Sequence, residues 1–413
     1  MKQKLSFEKG QALIIIVLSL IGLLGITALA VDGGNAYVQK RTVQNAADTA
    51  ALGGALARIR GEDWVSVAYK IAKSNGYNND RVTNFVQIYS PPISGPNARN
   101  LDYIQVQIRA QSPTYFAKIL GFNQIPVFGE AVTRTTRPII TQILQGNAVI
   151  SLAPTSDCED NKSFDVSGES TLAIQGGGIF VNSNNPDCAL SLKANGSIRL
   201  KDSDATITVV GGASVRKPQL VTPYPPQTGA APISYPPPFL LPKPNCNKDA
   251  VVSDDGKSIS AGDYGGGVFP PEGVTGLQPG IYCLGGDFIV NDGVLVGNGV
   301  VILLESGQLH FGASAEIQLT APQNGKYKGL LLYAPLTNHH IIALNGNYNS
   351  VYAGTILAPG AEIRLKGNDS GFGFHSQIIG YRIRSDGNSN IIINYKDDQN
   401  YDALTMPEIQ FTQ

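Results

Sequence analysis

Three hydrophobic patterns follow one another along the chain. Residues 12–31 (ALIIIVLSLIGLLGITALAV) are apolar throughout and carry no charge. At about 1.5 Å of helical rise per residue they reach roughly 30 Å, the thickness of a bilayer core. This predicts a transmembrane anchor, and the rest of the 413-residue chain holds no second run of that kind. Asp32-Gly33-Gly34 marks a membrane exit and a bend. A helical pattern resumes through Ile59, with Ala46, Ala47, Ala50, Ala51, Gly54, Ala55 and Ala57 leaving one side almost without bulk. So small a face suits close packing on the chain's own domain or on a neighbouring subunit. A second helix is predicted over Asp63–Lys73, ending at Asn75-Gly76.

Period-two alternation then takes over. Strands are predicted around Val82–Ile88, Ile104–Ile108 and Ile125–Thr135, with PTYFAKILG (113–121) as a short helical or looped crossing. Two helices and three strands make a small α+β domain over 32–142. From 143 onward short β-like stretches flank Gly-centred turns, as in residues 164–174, 190–200, 342–353, 363–374 and 383–393. Gly346, Gly367 and Gly387 are almost evenly spaced. A period of about 20 residues with two strands per repeat suits a right-handed β-helix or solenoid, in which stacked rungs share one core. A sandwich of hairpins is the alternative. Residues 217–246 contain ten prolines, which cannot donate to a strand ladder. They predict an extended linker between solenoid blocks 143–216 and 247–413, or a strap lying along one of them.

Charge gives the anchor a direction. Lys2, Lys4 and Lys9 precede it against Glu8, in a basic stub of residues 1–11. The positive-inside bias keeps that stub in the cytoplasm and the bulk outside it. A cleaved signal peptide ending near Ala28-Leu29-Ala30 is the competing reading, but the apolar run exceeds the roughly 7–15 residues usual there. Net charge is -1, so nothing in the charge suggests a nucleic-acid partner. Charged residues are only 15% and glycines number 46, a turn-rich composition suited to an exported β protein. The four cysteines, Cys158, Cys188, Cys246 and Cys283, all follow residue 150. Behind an export signal they read as disulfides, with sequence-near pairs the first guess among three connectivities.

The residues around the anchor carry a resemblance. Gly10 and Gln11 precede the apolar run; Asp32 and Gly34 follow it; Tyr37 and Arg41 stand four apart; Gln44, Ala47, Asp48, Ala50, Ala51 and Leu52 complete the set. This resembles the N-terminal segment of TadG-like proteins of Flp (Tad) pilus assembly. Type IV pilins carry a Glu five residues after the processing glycine; Ile15 stands at that place here. The Gly/Asn-rich second half is similar to the C-terminal region of larger TadG-related surface proteins. The resemblance implies a non-enzymatic, membrane-anchored pilus-assembly or surface component. Its partners would be the membrane and other envelope proteins, and surface glycans if it acts in adhesion.

Signals for chemistry are weak. His310, His339, His340 and His375 have no convergent ligands at metal spacing, and no cofactor is expected. Asp165, Asp287, Asp292, Asp369 and Asp386 sit near turns, where Asp is favoured for backbone hydrogen bonding. GxSxG, HExxH and P-loop motifs are absent. The alternative is a tethered carbohydrate-active or carbohydrate-binding β-helix. Exposed rows of Tyr348, Tyr352, Phe372, Phe374 and Tyr381 would favour binding; packing inside the stack is the simpler expectation.

Overall fold

The computed structural model describes residues 11–136, 140–144, 146–345, 347–367, 373–404 and 409–412. The chain divides into two compact units, 1–138 with 406–413, and 139–405. The second unit is thus inserted into the first.

Unit 1 begins with a continuous helical stretch. Helix α1 (Gln11–Thr27) passes through one π-helical turn (Ala28–Asp32) into α2 (Gly33–Ile59). The bend expected at Asp32-Gly33-Gly34 is a one-turn widening, since both glycines keep helical conformation. Side chains of α1 from Leu13 to Leu23 are exposed all round. The continuous helix Leu13–Ile59, of which this is the apolar beginning, is long and apolar enough to cross a membrane. Helix α3 (Trp64–Ser74) starts at Asp63, whose carboxylate accepts from Ser66 N and Oγ at 3.3 and 2.6 Å.

Strands β1 (Asn84–Tyr89), β2 (Tyr103–Pro113) and β3 (Gln124–Thr135) form an antiparallel sheet. Its fourth strand is Ile409–Thr412, paired antiparallel with β3. The sequence placed those residues in the second solenoid block; the structure gives them to unit 1. Ile104, Val106 and Ile108 face the alanine side of α2 in one core. Gln105 and Gln107, expected on a wet face, are buried too. The segment after β1 covers the first: Gln105 accepts from Ile93 N at 2.9 Å and donates to Ser94 Oγ at 2.9 Å. Gly129 sets the distance between layers. A Cβ there would stand 2.9 Å from the backbone of Val43 and Gln44.

Unit 2 is built on parallel sheets of seventeen and ten strands among the described residues. Most passes of the chain contribute three short strands, two to the larger sheet and one to the smaller, where the sequence suggested two; in the passes of Thr355–Leu365 and Ile378–Ser385 the first two merge into one long strand, leaving two. One pass holds Gly280–Leu284, Asp287–Val290 and Val294–Asn298. The next holds Val300–Leu304, Leu309–Phe311 and Glu316–Thr320, in parallel register with the first. The offset between registered partners is not constant. Tyr282 pairs with Ile302, but Ile302 pairs with the more distant Leu332, because loops of different length leave between strands. Gly346, one of the three evenly spaced glycines, lies outside the described residues. Tight corners need glycine: a Cβ at Gly286 would meet Gly267 O at 2.1 Å.

The order of passes in space differs from their order in sequence. The ten-stranded sheet runs from Ser258–Ile259 up to Asn390–Asn394, then continues with Thr171–Gln175, Ser197–Leu200 and Val221–Thr222. The last pass of the second block therefore lies beside the first pass of the first block. Ile378, Ile379 and Gly380 register with Val149, Ile150 and Ser151, and Asn390–Asn394 register with Thr171–Gln175. One core runs through both blocks. Inside it Phe269, Phe288, Phe311, Tyr352 and Phe374 stack in a column, with neighbouring centroids 4.8–6.0 Å apart.

The proline-rich segment is the return path this order requires, and of its two predicted forms it takes that of a strap. Ile233, Tyr235, Pro237, Phe239 and Leu241 turn inward while Ser234, Pro236, Pro238 and Leu240 are exposed. The inward set packs with Ile150, Phe180, Val301, Leu303, Tyr333, Leu357 and Ile379, from strands of the larger sheet. Asn182, buried, holds Ile233 at both backbone groups: Ile233 N donates to its Oδ1 at 2.7 Å, and its Nδ2 donates to Ile233 O at 2.9 Å. Further along, Tyr235 donates to Pro359 O at 3.1 Å and Tyr327 to Lys243 O at 2.6 Å. The Cys246–Cys283 disulfide fixes the strap's end to a strand; Cys158–Cys188 ties loops of two successive passes.

Candidate functional site

The motif residues converge where α1 becomes α2. Asp32 is buried, and its carboxylate accepts three backbone N–H groups from the crossing between β2 and β3: Tyr115 at 2.8 Å, Phe116 at 3.0 Å and Ala117 at 2.6 Å. Those three peptide groups open a short 3-10 helix, Ala117–Leu120, whose first N–H groups have no partner within the helix. Burial alone would raise the Asp32 pKa; the N–H groups of Ala117, Tyr115 and Phe116 outweigh it and leave it below the ordinary 3.8. Asn35, one turn on, donates to Ser112 Oγ at 3.3 Å and Pro113 O at 3.2 Å. The exit of the apolar helix is thereby tied to the end of β2 and the crossing after it.

Gln44 forms the second tie. Its Nε2 donates to Glu130 O at 2.7 Å and its Oε1 accepts from Glu130 N at 3.2 Å, so the amide pairs with β3 as a strand would. The same Nε2 donates to Asp48 at 2.9 Å, which orients the amide. Ala47, Ala50 and Ala51 are fully buried against the sheet, so the alanine side serves the chain's own domain. Gly34, Tyr37, Arg41 and Leu52 lie on the opposite, exposed side of α2. Gly10 lies outside the described residues and Gln11 is the first residue of α1. The motif thus splits into a buried set that fixes the helix to its sheet and an exposed set free to meet something else.

Elsewhere the sequence-flagged groups do not assemble. Among the described residues no cluster of three His, Cys, Asp or Glu is placed to hold a metal. His310, His339 and His340 are exposed, with His339 Nδ1 3.0 Å from Gly360 O. His375 borders a cavity of about 470 Å³ lined also by Thr320, Lys328, Asp398 and Gln399. Burial and the nearby Lys396 push its pKa down from the ordinary value. Asp165 pairs with Lys162 at 3.0 Å, Asp287 accepts from Gln308 N at 2.9 Å, and Asp386 lies 3.9 Å from Lys366, so each has its own local partner. Asp369 and Phe372 lie outside the described residues. Tyr352 and Phe374 are buried in the aromatic column, Tyr381 packs against Tyr235 of the strap, and Tyr348 is exposed.

Reading the sequence missed the partners of Asp32 and the role of residues 114–123. The available signal was PTYFAKILGFN itself, whose aromatic and aliphatic side chains are too many for a wet turn. No curated protein and no solved structure matches the chain. Residues 10–57, which hold both ties and the apolar helix, match the Tad family model, described as "Putative Flp pilus-assembly TadE/G-like".

Proposed function

We propose that this chain is a non-enzymatic, single-pass membrane component of a Flp/Tad-type pilus assembly or surface system. The match over residues 10–57 carries this reading. The basic residues Lys2, Lys4 and Lys9 before α1 support a cytoplasmic N-terminus and an extracytoplasmic bulk. Two disulfides with no free cysteine among the described residues suit an oxidising compartment. Unit 2 would be a three-faced parallel β-helix presenting a stiff, weakly charged surface to envelope partners or a surface for adhesion. Parallel register over consecutive passes and the continuous aromatic column favour that architecture. The glycan-binding alternative loses two of its aromatic residues to the core, Tyr352 and Phe374.

The test is deletion of the gene, with pili imaged by electron microscopy and the protein followed by fractionation and protease shaving of intact cells. Loss of pili or attachment, with unit 2 released by protease, is expected. Normal pili and attachment with the protein in the soluble cytoplasmic fraction would sink the proposal.

A further inference from the structure

The crossing held by Asp32 carries large apolar side chains that nothing in unit 1 covers. Tyr115 is 64% exposed, Ile119 67% and Phe122 67%. The segment from Pro113 to Asn123 contains one cation, Lys118, and no carboxylate. An ordinary wet loop would not leave three such side chains bare within so short a stretch.

Its position supplies the reason. The short helix Ala117–Leu120 packs on the π-helical turn Ala28–Asp32, and Ala28 is only 8% exposed while its neighbour Leu29 is bare. Leu24 and Gly25, on the same side of the helix one turn earlier, are half-buried. Residues 24, 25 and 28 belong to the apolar run 12–31. From Asp32 back to Ala28 is one helical turn, roughly 6 Å along the helix axis. The covered turn therefore begins at the exit and reaches back to Ala28, inside the apolar run, at the depth where interfacial side chains sit, roughly 5–10 Å into the headgroup/acyl boundary.

We propose that Thr114–Asn123 is a second membrane contact, seated in the lipid interface beside the exit of α1 with Tyr115, Ile119 and Phe122 directed into the acyl boundary. Tyrosine and phenylalanine with a flanking lysine suit that zone, where a ring is half solvated and a cation meets anionic headgroups. Asp32 would then do two things with one carboxylate. It satisfies three N–H groups close to the acyl region, where they would find little water, and it locks the loop at a fixed depth relative to α1. Two contacts instead of one would restrain the tilt of α2 relative to the membrane normal and so hold its exposed side (Tyr37, Arg41, Leu52) at a fixed height above the bilayer.

This inference rests on α1 spanning the bilayer, and the test separates the two ideas. The four native cysteines are paired, so a single introduced thiol can be labelled with an environment-sensitive dye. Full-length L20C, L101C, I119C and F122C variants are reconstituted into phosphatidylethanolamine/phosphatidylglycerol vesicles, with and without brominated acyl chains. Position 20 reports the span. Leu101, exposed beside Arg58 near the far end of α2, reports water. The expected result is blue-shifted emission and bromine quenching at 20, 119 and 122, with neither at 101. Quenching at 20 with water-like emission at 119 and 122 overturns the loop contact and leaves the anchor standing. Water-like emission at 20 overturns both.

Discussion

At Gly129 the backbone of β3 comes so near α2 that a single methyl would touch Val43 and Gln44; at Phe288 a whole ring fills the interior between two others. The two units bury apolar surface by opposite means. Unit 1 brings its layers together with alanine and glycine, so its stability depends on close backbone approach and on hydrogen bonds that aim the layers, those of Asp32 and Gln44. Unit 2 stacks passes whose separation the parallel ladder already fixes, so its interior must be filled by volume: Phe269, Phe288, Phe311, Tyr352 and Phe374. A small residue is indispensable between the layers of one and damaging in the aromatic column of the other.

Substitutions can break or sharpen that contrast. The largest loss is expected from Phe288→Ala, which removes a fully buried ring 5.1 and 5.0 Å from its neighbours. About 3–5 kcal/mol should be lost, read as a lower denaturant midpoint of the tyrosine near-UV signal. Removing the strap's disulfide by Cys246→Ser with Cys283→Ser frees a loop of 37 residues. The chain-entropy model puts this at about 4 kcal/mol, and protease cleavage near residue 246 should accelerate.

For unit 1 the opposite change does the damage. Gly129→Val should cost about 1–3 kcal/mol or more by overpacking. Trp64, the chain's one tryptophan, reports it by fluorescence. Were Gly129→Val as stable as the parent while Phe288→Ala lost nothing, the contrast would be wrong. The smallest effect is the pH dependence of Asp32. Its pKa is lowered in the folded state. The stability it supplies is complete above the ordinary value of 3.8 and disappears as pH falls below it through the folded-state value. Asp32→Asn should flatten the acid limb of the Trp64 unfolding midpoint; an unchanged acid limb would remove the tie from the account.

Sequence patterns made much of this visible, to different degrees. Anchor, helices and the three antiparallel strands follow from period and caps, and the disulfides from their sequence-near spacing. The number of strands per pass did not, because passes of unequal length share no single period. Strands such as VVILL (300–304) and LLLY (330–333) are apolar on both sides, which means both faces need cover. The cover lies in ISYPPPFLL (233–241), where period two shows through the prolines and was readable as a face. The block order was not readable: Val149 and Ile378 are neighbours although they stand near opposite ends of unit 2 in sequence, and no local signal encodes such a pairing. The Asp32 tie had the same obstacle, its partners being peptide groups on the far side of α2, α3 and two strands in chain order.

That block order has a consequence in time as well as in space. The pass containing Ile378–Ser385 sits between its predecessor and the pass containing Asn147–Ser151, so the first pass to be synthesised waits for one of the last before its open edge is matched. Unit 1 waits longer, since β3 meets its outer neighbour only when residues 409–412 have been made. A ribosome-bound chain therefore holds both units unfinished until residues 378–380 and 409–412 have emerged. Truncation before residue 378 leaves a strand edge bare in each unit at once.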